Sequence, residues 1–419
     1  MKKQLLKINR YMAYFIIAGV ILFTGCSDDN VTDAESQDDS VEFETAFLRG
    51  AVNFTPDGSI TFLDIVTDLA DEPDFSNMVE LGRNVDVFAN GEHPYTVNPD
   101  AKTITKWNVD KKNLEVSIDG ILSFASTGVN TSLINFISDE QAFIPDLVEG
   151  IIVEFNPTTI EIVKTHNVDP FQTSTNFGFF TRGSVFNGKI IFPLQWLTLG
   201  CCEYDLDLKA TVGIFDPATG TLTYDRDDRA IGVLFTVMFD GDDAYLPVAN
   251  TQNSFIKTFY NGIPSTKPGP NVVLKLNDDG TIDDNFVVDI NETLPDASIV
   301  RSSSFIFQGK YVITHANEPV TGSFEDRWST RSDMEMVVNS FDLNTKEAKP
   351  FTAFDSYFGV FPVGTIDGVN YFNGRLRAPN NPGSNFGSST DLLIQNSPED
   401  YSVLNTTENG SFTELFKLW

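Results

Sequence analysis

Two groups of side chains in this sequence have the types and spacing for chemistry: one cysteine near the start, and arginines mixed with aromatics in the second half. Cys26 stands in Phe23-Thr24-Gly25-Cys26-Ser27, where two small residues precede a thiol. Such a thiol can take a diacylglycerol thioether before the bond at Gly25 is cut. Lys2, Lys3, Lys7 and Arg10 lead into an apolar run from Tyr11 to Phe23, the layout of a secretory signal too short to stay as a membrane span. Residues 1–25 therefore read as a lipoprotein signal peptide, with the mature chain starting at lipidated Cys26. The alternative is an ordinary cleaved signal with a chance cysteine. Two or three acyl chains anchor firmly where one holds reversibly.

The second group comprises Arg182, Trp196, Lys257, Tyr260, Arg301, Arg327, Trp328, Arg331, Arg375 and Arg377. Aromatics mixed with guanidinium groups suit a flat, partly anionic ligand, held by stacking and charge-assisted hydrogen bonds. The competing reading is that these residues pack loops onto a scaffold. Arg182 and Arg301 precede similar glycine turns, so they either form an anion site or pair with carboxylates such as Asp86 or Asp355. Adjacent Cys201 and Cys202 either close a vicinal disulfide or remain two thiols. His93, His166 and His315 have no zinc-like spacing and no nucleophile-elbow context. His315 is the one histidine placed for catalysis, against a plain hydrogen-bonded role. The acidic runs at 225–228, 240–243 and 278–284 lack EF-hand spacing and read as hairpin tips. No catalytic residue, metal or resident cofactor is expected.

Composition and turn chemistry indicate what must position these groups. Removing residues 1–25 takes away four positive charges and no negative ones, so a net charge of −31 becomes −35. That surface repels nucleic acid and bare anionic membrane, leaving the lipid as the only membrane contact. Residues 26–44 are polar and acidic, and read as a flexible tether. From residue 45 onward, short alternating runs broken by Gly, Asn, Asp and Pro, with 36 Phe, indicate an all-β chain.

Two turn signatures repeat. One is an apolar strand, a tight turn and a second strand, as in Phe186-Asn187-Gly188-Lys189-Ile190 and Phe307-Gln308-Gly309-Lys310-Tyr311; its turns fall at 91, 139, 188, 241, 309 and 368. The other comes later in each unit, as in Phe155-Asn156-Pro157-Thr158 and Phe215-Asp216-Pro217-Ala218. Repeats of this length are propeller blades. The spacing predicts seven blades of four antiparallel strands over residues 45–419, with eight as the alternative. Residues 43–81 supply part of one blade and the strand at 412–419 completes it, joining the two ends of the domain. Excess length follows the second strand in four consecutive blades, at 195–209, 250–270, 316–333 and 375–389, which places these insertions on one face.

Thr103-Ile104-Thr105-Lys106-Trp107, Ser123-Phe124-Ala125, Gln141-Ala142-Phe143-Ile144-Pro145-Asp146 and the run from Ile151 to Ile162 resemble a family of propeller lipoproteins associated with TonB-dependent siderophore uptake, including those of myxochelin clusters. The layout is also similar to that of Bacteroidota surface lipoproteins that capture ferric siderophores, and the acidic Ser27-Asp28-Asp29 run resembles their export signal. The resemblance is clearest over residues 45–240 and its motifs are blade punctuation. It implies an outer-membrane, surface-exposed protein that binds a ferric siderophore or related small ligand. A TonB-dependent receptor is the implied partner, with iron present only inside the bound complex. A propeller enzyme, of lactonase or quinoprotein-like type, or a platform for protein partners, is the alternative.

Overall fold

The computed structural model describes residues 42–129, 133–171, 176–180, 183–200, 203–206, 209–230, 237–248, 271–295, 304–316, 336–350, 359–375, 389–397 and 400–419. Residues 42–419 form one compact unit, a seven-bladed β-propeller. Among the described residues, only two 3-10 turns interrupt the strands, and no helix is long and apolar enough to cross a membrane.

The chain opens with β1 (Phe47–Thr55), β2 (Gly58–Val66) and β3 (Val79–Gly82). Blade 1 follows as β4 (Asp86–Asn90), β5 (His93–Asn98), β6 (Thr103–Val109) and β7 (Val116–Ser123). Blade 2 is β8 (Asn135–Ser138), β9 (Gln141–Asp146), β10 (Ile151–Asn156) and β11 (Glu161–Asn167). Blade 3 has an inner strand in two pieces, β12 (Asn176–Phe180) and β13 (Ser184–Phe186), then β14 (Lys189–Gly200), β15 (Glu203–Leu206), β16 (Ala210–Asp216) and β17 (Thr221–Asp227). Blade 4 is β18 (Met238–Asp240), β19 (Asp243–Val248), β20 (Val272–Leu276) and β21 (Ile282–Asp289). Blade 5 is β22 (Ser304–Phe307), β23 (Lys310–Ala316), β24 (Met336–Asp342) and β25 (Ala348–Pro350). Blade 6 is β26 (Gly359–Ile366), β27 (Val369–Arg375), β28 (Ser389–Ser397) and β29 (Asp400–Glu408). The last strand, β30 (Gly410–Lys417), pairs with β1, so blade 7 has the order β30-β1-β2-β3. This is the closure the sequence predicts, and it leaves the ring no open end.

Burial explains the strand compositions. Middle strands are packed on both faces, so β9 and β16 are nearly continuous apolar runs, whereas outer strands such as β11 are mostly exposed. The described buried apolar residues fall into seven clusters, one at each joint between neighbouring blades. Phenylalanine fills these joints: Phe143 of blade 2 meets Phe215 of blade 3 edge-on, with ring centroids 5.2 Å apart. His166 sits in the same joint, with Nε2 2.9 Å from Glu154 and its ring against Phe143 and Phe215. Gly220 is the contact point on blade 3. It has φ +69°, and a Cβ there would overlap His166 Nδ1.

Polar groups tie blade to blade. Tyr95 donates to Pro157 O at 3.0 Å, and buried Lys106 donates to Thr158 O at 3.2 Å while pairing with Asp119 at 2.9 Å. Two carboxylates of the acidic runs that the sequence presents as solvated tips are such ties, Asp225 from within β17 and Asp240 from the end of β18. Asp225 Oδ2 accepts from Ile282 N at 2.7 Å, and Asp240 accepts from Gln308 N at 2.9 Å and from Gly309 N. An Asp one blade away is the right length to cap a neighbour's exposed turn N–H groups.

Candidate functional site

Antiparallel order sorts every connection to one of two faces. In each blade the first-to-second and third-to-fourth hairpins share one face, called the lower face here, and both repeated turn signatures lie on it. Second-to-third connections and blade-to-blade crossings share the opposite, upper face. All the insertions leave from upper strand ends: residues between β19 and β20, between β23 and β24, and between β27 and β28.

Blade 3 departs from the expectation of a loop over 195–209. Gln195–Gly200 continues β14, pairing with β12 on one side and β15 on the other. The alternation in Leu194-Gln195-Trp196-Leu197-Thr198-Leu199 is that of a strand, and two flanking partners satisfy its backbone. Pairing with β16 ends at Leu194, so the hairpin runs about 20 Å past the blade at about 3.3 Å per residue. It forms a three-stranded tongue on the upper face, with β12 on the channel side.

Trp196 lies in this tongue, opposite Gly178. Arg375, expected within an insertion, is the last residue of β27, registered with Gly359 and with Thr390. Arg182 falls between β12 and β13, and Arg301 just before β22; both lie outside the described residues. Lys257 and Tyr260 fall between β19 and β20, Arg327, Trp328 and Arg331 between β23 and β24, and Arg377 between β27 and β28, again outside the described residues. Cys201 and Cys202 lie outside them as well, bracketed by Gly200 and Glu203, which pair with each other. Cys26 and the proposed signal and tether up to residue 41 are likewise outside. Of the ten ligand candidates, Trp196 and Arg375 are the two within the described residues, and both stand toward the upper ends of second strands, in blades 3 and 6.

Several described cations outside the candidate set are held by the scaffold. Arg49 is 2 % exposed, bonds Asp64 and Asp71 O, and lies over the Phe412 ring at 5.4 Å. Arg229 bonds Asp227 and the carbonyls of Asp283 and Asp284, clamping blade 3 to blade 4. Burial opposes ionisation of Asp227, but the bonds and charge of Arg229 outweigh it and hold the carboxyl below its usual range. Lys111, Lys275 and Lys417 pair with Glu92, Asp243 and Asp367. The signal for such cations is a single charge at a core position of a strand, as with Arg49 in β1.

His315 is 1 % exposed within β23, and its Nε2 faces Asn339 of β24. That is a histidine bonded into a sheet, not one poised over a cleft. Among the described residues no group of His, Cys, Asp and Glu could hold a metal ion.

No protein-family model matches the chain, and no curated protein matches it in sequence. Solved structures match in fold. A candidate 6-phosphogluconolactonase from Bacteroides fragilis is 12 % identical, with 91 % of this chain and 99 % of that one covered and a TM-score of 0.49. The lignostilbene dioxygenase of Pseudomonas brassicacearum is 10 % identical over 88 % of this chain and 89 % of its own, with a TM-score of 0.44. The β-propeller domain of the trilobed protease from Pyrococcus furiosus is 12 % identical over 87 % and 97 %, with a TM-score of 0.41. The likeness is one of fold.

Proposed function

We propose that this chain is a lipid-anchored protein of the outer-membrane surface whose propeller captures a ferric siderophore, or a related small anionic aromatic ligand, and passes it to a TonB-dependent transporter. The observation that carries the reading is the division of labour between the faces. Residues 43–46 join the ring on the lower face, where Phe43 N donates to Lys111 O at 2.8 Å and Trp419 Nε1 donates to Phe43 O at 2.9 Å. The strand ends from which the insertions leave and the blade 3 tongue lie on the upper face, and the sequence puts most of the candidate arginines and aromatics in those segments. A chain tethered through its lower face presents its upper face to arriving ligand. The lipobox at Cys26 and the acidic residues behind it support the tether. The resemblance over residues 45–240 supports the siderophore class. The four tryptophans supply the assay, since Trp196 is in the blade 3 tongue and Trp328 falls in the insertion between β23 and β24.

The test is tryptophan quenching and native mass spectrometry of the lipid-free mature chain against ferric catecholates, haem and oligosaccharides. Saturable binding of a ferric catecholate, lost in Arg327→Glu, Arg331→Glu or Arg375→Glu, is the expected result. Absence of binding to every iron complex at micromolar concentration rejects it, and turnover of a lactone would move the chain to the enzyme class.

A further inference from the structure

The joint between blades 6 and 7, where the last strand closes the ring, contains a set of polar atoms that the protein does not satisfy. Asn373, Thr390, Asn405 and Thr407 are 3 %, 1 %, 6 % and 1 % exposed. Among the described residues, Asn373 Oδ1, Thr390 Oγ1, Asn405 Oδ1 and Thr407 Oγ1 are buried without a hydrogen-bond partner. Register gathers them. Thr390 and Thr407 are directly opposite across β28 and β29, about 5 Å apart. Asn405 lies two residues before Thr407 on the same face of β29. Asn373 lies two residues before Arg375, the partner of Thr390, and so is diagonal to Thr390 at about 7–8 Å.

The orientation of both amides is fixed by their partners. Asn373 Nδ2 donates to Ser411 Oγ at 3.0 Å and to Phe412 O in the closing strand. Asn405 Nδ2 donates to Leu69 O at 2.8 Å and Asp71 O at 3.2 Å, in the excursion between β2 and β3. Carbonyl partners accept only, so neither amide can flip, and each keeps a carbonyl oxygen facing inward. Two acceptors and two hydroxyls remain within one patch of sheet. Leaving all four unpaired in a buried site is costly, and natural folds rarely do so.

We propose that the upper part of this joint is a built hydration site, holding buried ordered water bonded to Asn373, Thr390, Asn405 and Thr407. A buried water takes about three hydrogen bonds to otherwise unsatisfied groups, which matches two acceptors and two hydroxyls shared among one or two waters. A cation is the poorer occupant. The four oxygens are neutral, and the Arg49 guanidinium donates to the same Asp71 carbonyl that Asn405 uses. Phe75 Cζ and Thr407 Cγ2 would each lie 2.8 Å from a Cβ on Gly410, so the site abuts the first residue of the closing strand.

Isosteric substitution separates a wet site from a dry one by sign. Removing a hydroxyl that bonds to water weakens folding, whereas removing an unsatisfied hydroxyl from a dry pocket strengthens it. Thr390→Val and Thr407→Val should each lower the urea midpoint, with the folding equilibrium constant falling about fivefold. Thr390→Ser, which keeps the hydroxyl, should fall less than Thr390→Val. A high-resolution crystal structure of the unsubstituted protein should show ordered water within hydrogen-bonding distance of the four oxygens. A raised midpoint in either valine variant, or a dry joint in that crystal structure, overturns the proposal. So does a midpoint that rises on adding sodium, potassium or calcium chloride to the unsubstituted protein beyond the effect of choline chloride.

Discussion

Replacing Arg49 by Met tests whether closure of the ring depends on one buried ion pair. Arg49 is in β1, the strand that receives β30, and is 2 % exposed, while its partner Asp64 retains 16 % exposure. Removing one member of a buried pair leaves the other uncompensated at a cost of about 3–5 kcal/mol. The residual exposure of Asp64 places the expected loss near the lower figure, about 3 kcal/mol, or roughly a hundredfold in the folding equilibrium. Met fills much of the arginine volume, so the loss of packing over Phe412 is small. The double variant Arg49→Met/Asp64→Leu removes the stranded carboxylate, and should recover to within about 1 kcal/mol of the unsubstituted protein. Equilibrium urea denaturation of both singles and the double gives the coupling directly. A single variant that loses less than about 1 kcal/mol, or a double that loses the sum of its singles, would refute the reasoning.

Acid should loosen the fold through its capped and paired aspartates. The hydrogen bond from Lys106 holds Asp119 below the ordinary 3.8, bonds from Thr281 do so for Asp279, and backbone bonds from Thr345 do so for Asp342. A lowered folded pKa contributes stability that is fully present above the unfolded value and is lost as pH falls through the folded one. Circular dichroism should therefore stay flat from neutrality to about pH 4 and change below it; a transition above pH 5 would contradict this. Gly220→Ala and Gly188→Ala compare two left-handed positions, one against His166 and one with open space around it. The second should cost about 1 kcal/mol and the first about 2–3 kcal/mol by urea midpoint; equal losses would remove His166 as the reason.

The propeller is legible in the sequence because its turns are written in Gly, Asn, Asp and Pro, residues whose backbone preferences act locally. Closure is legible for a similar reason: Phe412 to Trp419 alternates like a strand and has no partner nearby in sequence. The tongue of blade 3 is less so. A strand of β14's length looks like a strand followed by a loop until its partners β12 and β15 are known, because pairing is non-local. The hydration site is the least visible. Thr390 shares a strand face with Leu392, but threonines near strand ends carry no local sign that their hydroxyls will be sealed, and it is the packing of blade 7 that buries Thr390 and Thr407. Arg375 shows the intermediate case, its residue type pointing to ligand chemistry and its register to the head of β28.

The entry of residues 43–46 beside β1 also determines how the ring bears force. A pull arriving along that segment acts on Phe47, at one end of a strand flanked by β2 and by β30. Its hydrogen bonds lie across the direction of pull, so both rows are loaded together in shear instead of opening one at a time like a zipper. The C-terminal strand is innermost and carries none of the load at its own end. If the chain is held through its N-terminal segment, as proposed above, the load falls where the sheet is doubly held.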